Sequence, residues 1–271
     1  MNKNIESYNN NLTDKRIIIY NYINSIRPME LAIAIKSLVG AKRTWQISDS
    51  LMFNIDPCSA FGLRLLTFGI YEEQMVDSIN KLLKPGDVFI DLGGNEGYFS
   101  IIAARRVGVS GRVFCIEPQE RLWPTIIKNA NANSISNVTL IPIGISDIPG
   151  QTTITLYPSL NTGASSIVSS FRTKFYPKQK ISLNTLDSLI QNYEIDEVAL
   201  IKIDIEGYEV NALRSCCRAL KNHVIKKLLI EIHPEQLKKL GQTEDDLFKL
   251  MLGYGYNYNR YGEIHLFEVN N

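Results

Sequence analysis

The hydrophobic pattern of the chain changes at Lys84-Pro85-Gly86. Before that point apolar residues recur at mixed spacings. Helical stretches are expected near Arg16 to Leu38, a strand over Thr44 to Asn54, and an amphipathic helix from about Tyr71 to Leu83. Lys84-Pro85-Gly86 stops that helix, because proline cannot continue one and glycine favours the turn beyond it. After Gly86, short apolar runs alternate with helical spacing, as in a parallel sheet with crossover helices. Strands are expected at Val88 to Leu92, Val113 to Ile116, Val138 to Ile145, Ala199 to Ile203 and Lys227 to Ile232. The helices between and after them cover Gly97 to Val107, Arg121 to Asn133, Thr185 to Gln191, Tyr208 to Leu220 and Glu244 to Leu252. Two last strands, near Tyr256 to Asn259 and Ile264 to Val269, are joined by Tyr261-Gly262 and read as a hairpin, so the final strand runs antiparallel.

This pattern predicts an α/β fold with a doubly wound sheet of seven strands over 86–271, behind a smaller N-terminal cap over 1–85. The order breaks between Gly150 and Ser182, where β-patterned Thr152 to Tyr157 runs into a Ser/Thr-rich stretch. That stretch is expected to be an insertion over the site, with Ser159 to Ser170 more mobile than the sheet when no ligand is bound.

The densest chemistry lies in Val88-Phe89-Ile90-Asp91-Leu92-Gly93-Gly94-Asn95-Glu96-Gly97-Tyr98. A buried strand ends in an acid, a glycine-rich turn comes next, and a helix opens behind it. This puts the turn at the carboxyl edge of the sheet, where open α/β folds bind ligands. The spacing narrows the ligand. Counting from Gly93, Asn95 and Tyr98 stand at the second and third glycine positions of a dinucleotide turn, and no Gly-Lys-Ser/Thr ending of a phosphate loop is present. Asp91 would repel a pyrophosphate. S-adenosylmethionine (SAM) carries no phosphate and presents an ammonium that a carboxylate can accept. Glu117 ends the second strand twenty residues beyond Gly97, where an acid can take both ribose hydroxyls. NAD is not expected to bind.

Composition narrows the partners. Of 271 residues, 45% are hydrophobic and 21% charged, so a sizeable core is available and neither disorder nor a fibrous class is suggested. Lysine and arginine total 29 against 28 acids without a long basic run, which disfavours nucleic acid as a partner. The polar, Asn-rich start and the short apolar stretches after it fit neither a secretory segment nor a membrane span. Cys58, Cys115, Cys216 and Cys217 lack metal-binding spacing, so free thiols in a reducing cytoplasm are expected. Pairing of an apolar cap with a second copy of the chain stays open.

Several further blocks carry a family resemblance. They are Gly69-Ile-Tyr-Glu72, Leu83-Lys-Pro-Gly-Asp87, Ile116-Glu117-Pro118, Ser146-Asp147-Ile-Pro-Gly150, Asn161-Thr-Gly-Ala-Ser165, Thr185-Leu186-Asp187, Ile201-Lys-Ile-Asp-Ile-Glu-Gly-Tyr-Glu209 and Leu229-Ile-Glu-Ile-His233. With the glycine turn, they make Gly69 to Val269 resemble the FkbM-type SAM-dependent methyltransferases, which use the class I Rossmann-like sheet. Gly94 and Glu96 depart from the family, which more often shows alanine and an apolar residue there.

The resemblance implies SAM as cofactor, with Asp91, Gly93, Asn95, Gly97, Glu117, Ser146 and Asp147 as its candidate ligands. It also implies methyl transfer to a hydroxyl of a small acceptor such as a sugar or secondary metabolite. An alcohol must lose its proton, and Asp204 is the first candidate base, with Glu206 and His233 beside it. Competing accounts are structural: Glu206 bonding amides at a helix start, Lys202 only pairing with an acid, and His233 as an exposed turn residue before Pro234. Asp204, Glu231 and His233 form an alternative, less favoured set for a divalent metal. N- or C-methylation is a rival chemistry, weakened by the lack of an Asn/Asp-Pro-Pro-aromatic sequence. A non-catalytic SAM- or partner-binding protein is the rival from another class. It would need the turn and Glu117 but not Asp204 and Glu206. Alternating Tyr254, Tyr256 and Tyr258 fit one face of a strand, so packing accounts for them better than sugar stacking does.

Overall fold

The structure is a computed structural model; it describes residues 5–7, 15–26, 31, 35–36, 43–48, 51–158, 163, 165 and 176–269. Its centre is a seven-stranded sheet of β4 (Val88–Leu92), β5 (Arg112–Ile116), β6 (Val138–Ile141), β10 (Leu200–Ile203), β11 (Lys227–Glu231), β12 (Tyr256–Tyr261) and β13 (Ile264–Val269). The order across the sheet is β12-β13-β11-β10-β4-β5-β6. Strands β10, β11, β4, β5 and β6 pair in parallel, and β13 runs antiparallel to both neighbours. The fold is therefore the doubly wound α/β class that the alternating pattern predicts. The chain crosses from β4 to β10 between neighbouring strands that are far apart in sequence, and this switch point opens a crevice at the carboxyl edge.

Alternation along the strands sorts side chains onto two faces. Ile90, Leu92, Ile201 and Ile203 join one buried cluster with α6 (Leu186–Asn192), α7 (Glu209–Arg214) and α10 (Glu244–Gly253). Phe89, Val113, Leu200 and Leu229 face the other way. They pack against α4 (Tyr98–Val107) and against residues of the N-terminal segment: β2 (Arg43–Ser48), β3 (Leu51–Ile55), α2 (Ala60–Phe68) and α3 (Glu73–Leu82). That segment thus shares one core with a face of the sheet. Helix α5 (Trp123–Ala132) links β5 to β6, and its Asn129 side chain accepts from the Asn54 amide of β3, which ties the segment to the sheet from a second side. The segment also carries a small sheet in which β1 (Ile5–Ser7) pairs with β2 and β2 with β3. Among the described residues α1 (Lys15–Ser25) begins the expected helical region; most of the rest, to Leu38, lies outside them.

The structure corrects three boundaries. The single strand expected over Thr44 to Asn54 is a hairpin of β2 and β3, with Ser48 opposite Leu51. The strand expected over Val138 to Ile145 stops at Ile141, because Pro142 has no N–H for the ladder. Beyond the proline, β7 (Gly144–Ile145) leaves the central sheet and pairs with β9 (Lys178–Asn184); β9 in turn pairs with β8 (Gly150–Thr155). The helix expected over Tyr208 to Leu220 breaks into α7 and α8 (Cys217–Lys221). At the break the Ser215 hydroxyl donates to the Ala212 carbonyl at 2.6 Å and accepts from the Leu186 amide at 3.2 Å, so the start of α6 occupies the gap. Helix α9 (Pro234–Lys239) comes directly after His233, with proline at its start as helices tolerate. Apart from Gly163 and Ser165, Ser159 to Ser170 lie outside the described residues. No helix among the described residues is long and apolar enough to cross a membrane.

Candidate active site

The turn after β4 is built for close approach. Gly93 has φ 85, and a Cβ there would overlap the carbonyl oxygen of Asp204, so the loops after β4 and β10 meet without side-chain padding. The amides of Gly93 and Gly94 both donate to the Ile116 carbonyl, at 3.1 and 3.0 Å. A Cβ on Gly94 would overlap Sγ of Cys115, which explains locally why glycine stands where alanine is more usual.

Two cavities flank the turn. One, of about 90 Å³, lies over the β4–β5 edge and is bordered by Gly93, Asn95, Glu117, Ile143, Ile145 and Tyr208. The other, of about 130 Å³, lies on the β10–β11 side and is bordered by Tyr71, Glu72, Lys202, Glu231 and His233 among others. Gly93, Asn95, Gly163, Asp204 and Glu206 border both.

In the first cavity Glu117 is 3% exposed. Its two oxygens accept from the amides of Asn95 and Gln119, each at 2.8 Å. Burial pushes its carboxyl up to about 7 despite those bonds. A carboxylate offers about four lone-pair sites, so these two bonds and one from the Gln119 side chain still leave acceptor capacity for a ligand hydroxyl.

Of the expected cofactor residues, Gly93, Asn95 and Glu117 line this cavity; Asp91, Gly97, Ser146 and Asp147 do not. Asp91 has no solvent exposure and sits in register with Lys202 on the neighbouring strand. Its Oδ2 accepts from the Ser100 hydroxyl at 2.7 Å, and its Oδ1, which has no hydrogen-bond partner, faces the Lys202 ammonium at 3.4 Å. It lies under the turn as a counter-ion. Gly97, with φ 84, caps the start of α4. Asp147 accepts from Ser146 and from Asn211, at 3.1 and 3.0 Å, which ties the end of β7 to α7.

The second cavity gathers acids. His233 projects from the start of α9 with its side chain 16% exposed, so it is no open turn residue. Its Nδ1 lies 2.8 Å from Glu209, and its Nε2 lies 3.8 Å from Asp204 and 3.9 Å from Glu206. Burial opposes charge on this ring, but the bond to Glu209 and the carboxylates of Glu206 and Asp204 outweigh it, raising His233 to about 9. It is an imidazolium at neutral pH. Glu231 is pushed up to about 7, by burial first and then by Asp204 and Glu72; burial also raises Glu72 and Glu206.

Strand β10 ends at Ile203, and Glu206 beyond it takes a left-handed φ of 52. Its carboxylate accepts from the Gln236 side chain at 3.3 Å, and Glu209 takes the Gly207 amide at 2.9 Å. The candidate metal donors change accordingly. Asp204, Glu206 and His233 offer atoms within 4.8 Å of one another, with Glu206 in the place given to Glu231 from the sequence. Tyr71 and Glu72, in the Gly69-to-Glu72 block, reach the cavity without having been assigned a role from sequence.

A doubly wound sheet, a glycine turn without dinucleotide or phosphate-loop spacing and a buried acid at the second strand end suit a class I SAM-dependent methyltransferase. The chain belongs to the FkbM methyltransferase family: residues 91–258 match the model described as "Methyltransferase FkbM domain". Among curated relatives, the hexuronic acid methyltransferase AglP of Haloferax volcanii is 24% identical over 62% of this chain and 67% of its own. Methyltransferase sdnD of Sordaria araneosa is 24% identical over 54% of this chain and 67% of its own. A solved SAM-dependent O-methyltransferase of Thermotoga maritima, 14% identical, superposes with a TM-score of 0.40 over 74% of this chain and 67% of that one, too loosely to bear on the site.

The residues present fit SAM. Glu117 would hold the ribose hydroxyls, the Gly93 turn leaves room for close backbone approach, and Ile143 and Ile145 offer the apolar wall that a nucleobase needs.

Proposed function

We propose that the enzyme methylates a hydroxyl of a small, uncharged acceptor such as a sugar, with Asp204 taking the hydroxyl proton. One observation carries this reading: Asp204, like Glu206, borders both cavities, so a carboxylate stands between the cofactor side and the acceptor side. Bound SAM supplies an electrophilic methyl group. The chain's own part is to align the acceptor, exclude water and remove one proton.

Among the candidate bases, His233 already carries a proton at neutral pH, and Glu206 is raised by burial and held by Gln236. Asp204 is 28% exposed at the junction, with Lys202 at 3.4 Å and the His233 ring at 3.8 Å to offset its charge.

The acceptor cavity supports an uncharged substrate. Glu72, Glu96, Asp204, Glu206 and Glu231 border it, against the cations Lys202 and His233. A carboxylate on the acceptor, as in the hexuronic acid named for AglP, would meet like charge here, whereas neutral hydroxyls can donate to these acids. A near-even balance of 29 basic and 28 acidic residues fits a small molecule better than nucleic acid.

A second reading draws on the Asp204, Glu206 and His233 donors, which could ligate a divalent ion once His233 loses its proton. Turnover of neutral hexoses and uronic acids with labelled SAM, with and without a chelator, tests both readings. Methyl ether formed on a neutral hydroxyl and insensitive to chelator supports the first. Turnover lost to chelator and restored by a divalent ion supports the second.

A further inference from the structure

Lys202 belongs to neither the turn nor the expected catalytic group, yet it touches both. It is 1% exposed in mid-strand, facing the same way as Leu200 and across the ladder from Asp91. Its ammonium donates to the Gly93 carbonyl at 3.2 Å and lies 3.4 Å from Asp91 Oδ1, 3.4 Å from Asp204 Oδ2 and 5.0 Å from the centre of the Phe99 ring. If neutralising Asp91 were its whole task, the contacts to Gly93 and Asp204 would have no consequence.

We infer that Lys202 is a positioning residue that fastens the cofactor turn, through the Gly93 carbonyl, to Asp204 on the acceptor side, so that the two halves of the site keep one fixed spacing. Asp91 is the buried counter-ion that lets a full positive charge sit at this depth. Burial opposes charge on Lys202, and the carboxylates of Asp91, Asp204 and Glu72 more than offset it, holding the group above the ordinary lysine range. The flexible stem, unlike an arginine fork, delivers a single point charge that three oxygens share. This inference rests on the proposed role of Asp204 for its acceptor-side half only; the Gly93 half concerns cofactor binding.

The test separates positioning from charge balance in the full-length protein. Lys202→Met alone leaves the buried Asp91 without its counter-ion and is expected to lower the melting temperature. Lys202→Met combined with Asp91→Asn removes the buried pair together and is expected to recover most of that loss. In this double variant, S-adenosylhomocysteine affinity measured by calorimetry is expected to stay several-fold weaker, and kcat to fall about 100-fold with little change in acceptor KM, as a misplaced reacting group would produce. A double variant with wild-type affinity and wild-type kcat overturns the inference. Lys202→Gln supplies a check that survives poor folding of the pair: its amide can still donate to Gly93, so it should bind S-adenosylhomocysteine better than Lys202→Met. Equal affinities in these two variants also overturn it. Should no hydroxyl acceptor be found, the affinity comparisons still decide the Gly93 half, so failure of the O-methylation proposal and failure of this one are read separately.

Discussion

Nδ1 of His233 lies 2.8 Å from Oε1 of Glu209, a carboxylate without solvent exposure on the helix after β10. The pair sets the charge of the ring. With His233 raised from 6.5 to about 9, folding binds its proton more tightly than the unfolded chain does. The stabilisation is complete below about pH 6.5 and is lost as pH rises through about 9. Melting temperature should therefore decline across that window in the wild type and decline less in His233→Gln. Parallel curves for the two proteins would show that the ring is not held as an imidazolium.

Glu117 makes the opposite kind of prediction. Burial raises its carboxyl to about 7, and hydroxyl donors favour the charged form, so cofactor binding should release a proton below that pH. Affinity for S-adenosylhomocysteine should rise between pH 6 and pH 7 and then level, as about pH 7 is where Glu117 ionises. Glu117→Ala should cost about 1–3 kcal/mol of binding, the range for hydrogen bonds to charged groups, and should abolish the pH dependence. Calorimetry at several pH values reads both effects.

Gly94→Ala puts a methyl where Sγ of Cys115 stands. Overpacking of this kind costs about 1–3 kcal/mol. The double variant Gly94→Ala with Cys115→Ala opens that space and should recover most of the loss in thermal or urea unfolding. Additive losses in the double variant would place the strain elsewhere.

Acceptor charge can be tested without knowing the natural substrate. Neutral hexoses should be methylated in preference to matched uronic acids, and Glu72→Gln and Glu231→Gln should narrow the preference by removing negative charge from the cavity wall. Radiolabel transfer to each member of the pair gives the ratio. A uronic acid preferred by the wild type would reverse the assignment.

The central sheet was legible because strands buried on both faces give mostly apolar runs, broken only by Asp91 in Val88–Leu92 and by Lys202 in Leu200–Ile203, and the crossover helices give their own period. Boundaries failed where local chemistry overrides the period, at Pro142 and at the Ser215 break. At the site, Gly93, Asn95 and Glu117 could be placed from strand ends alone. Asp91 could not, because its side chain turns beneath the edge and its partner is fixed by strand register with Lys202, a pairing no local pattern reveals. Tyr71 and Glu72 reach the acceptor cavity from the segment before β4 through tertiary packing, and only their place in the Gly69-to-Glu72 block could have drawn notice.

The role of Asp204 is tested most directly by Asp204→Asn, which keeps the shape of the side chain and removes its capacity to take a proton. Turnover on a hydroxyl acceptor, measured beside S-adenosylhomocysteine affinity in the same preparation, should fall about 100- to 10,000-fold while affinity changes much less. An Asp204→Asn enzyme that turns over at near the wild-type rate would contradict the account, and the proton would have to leave by another group.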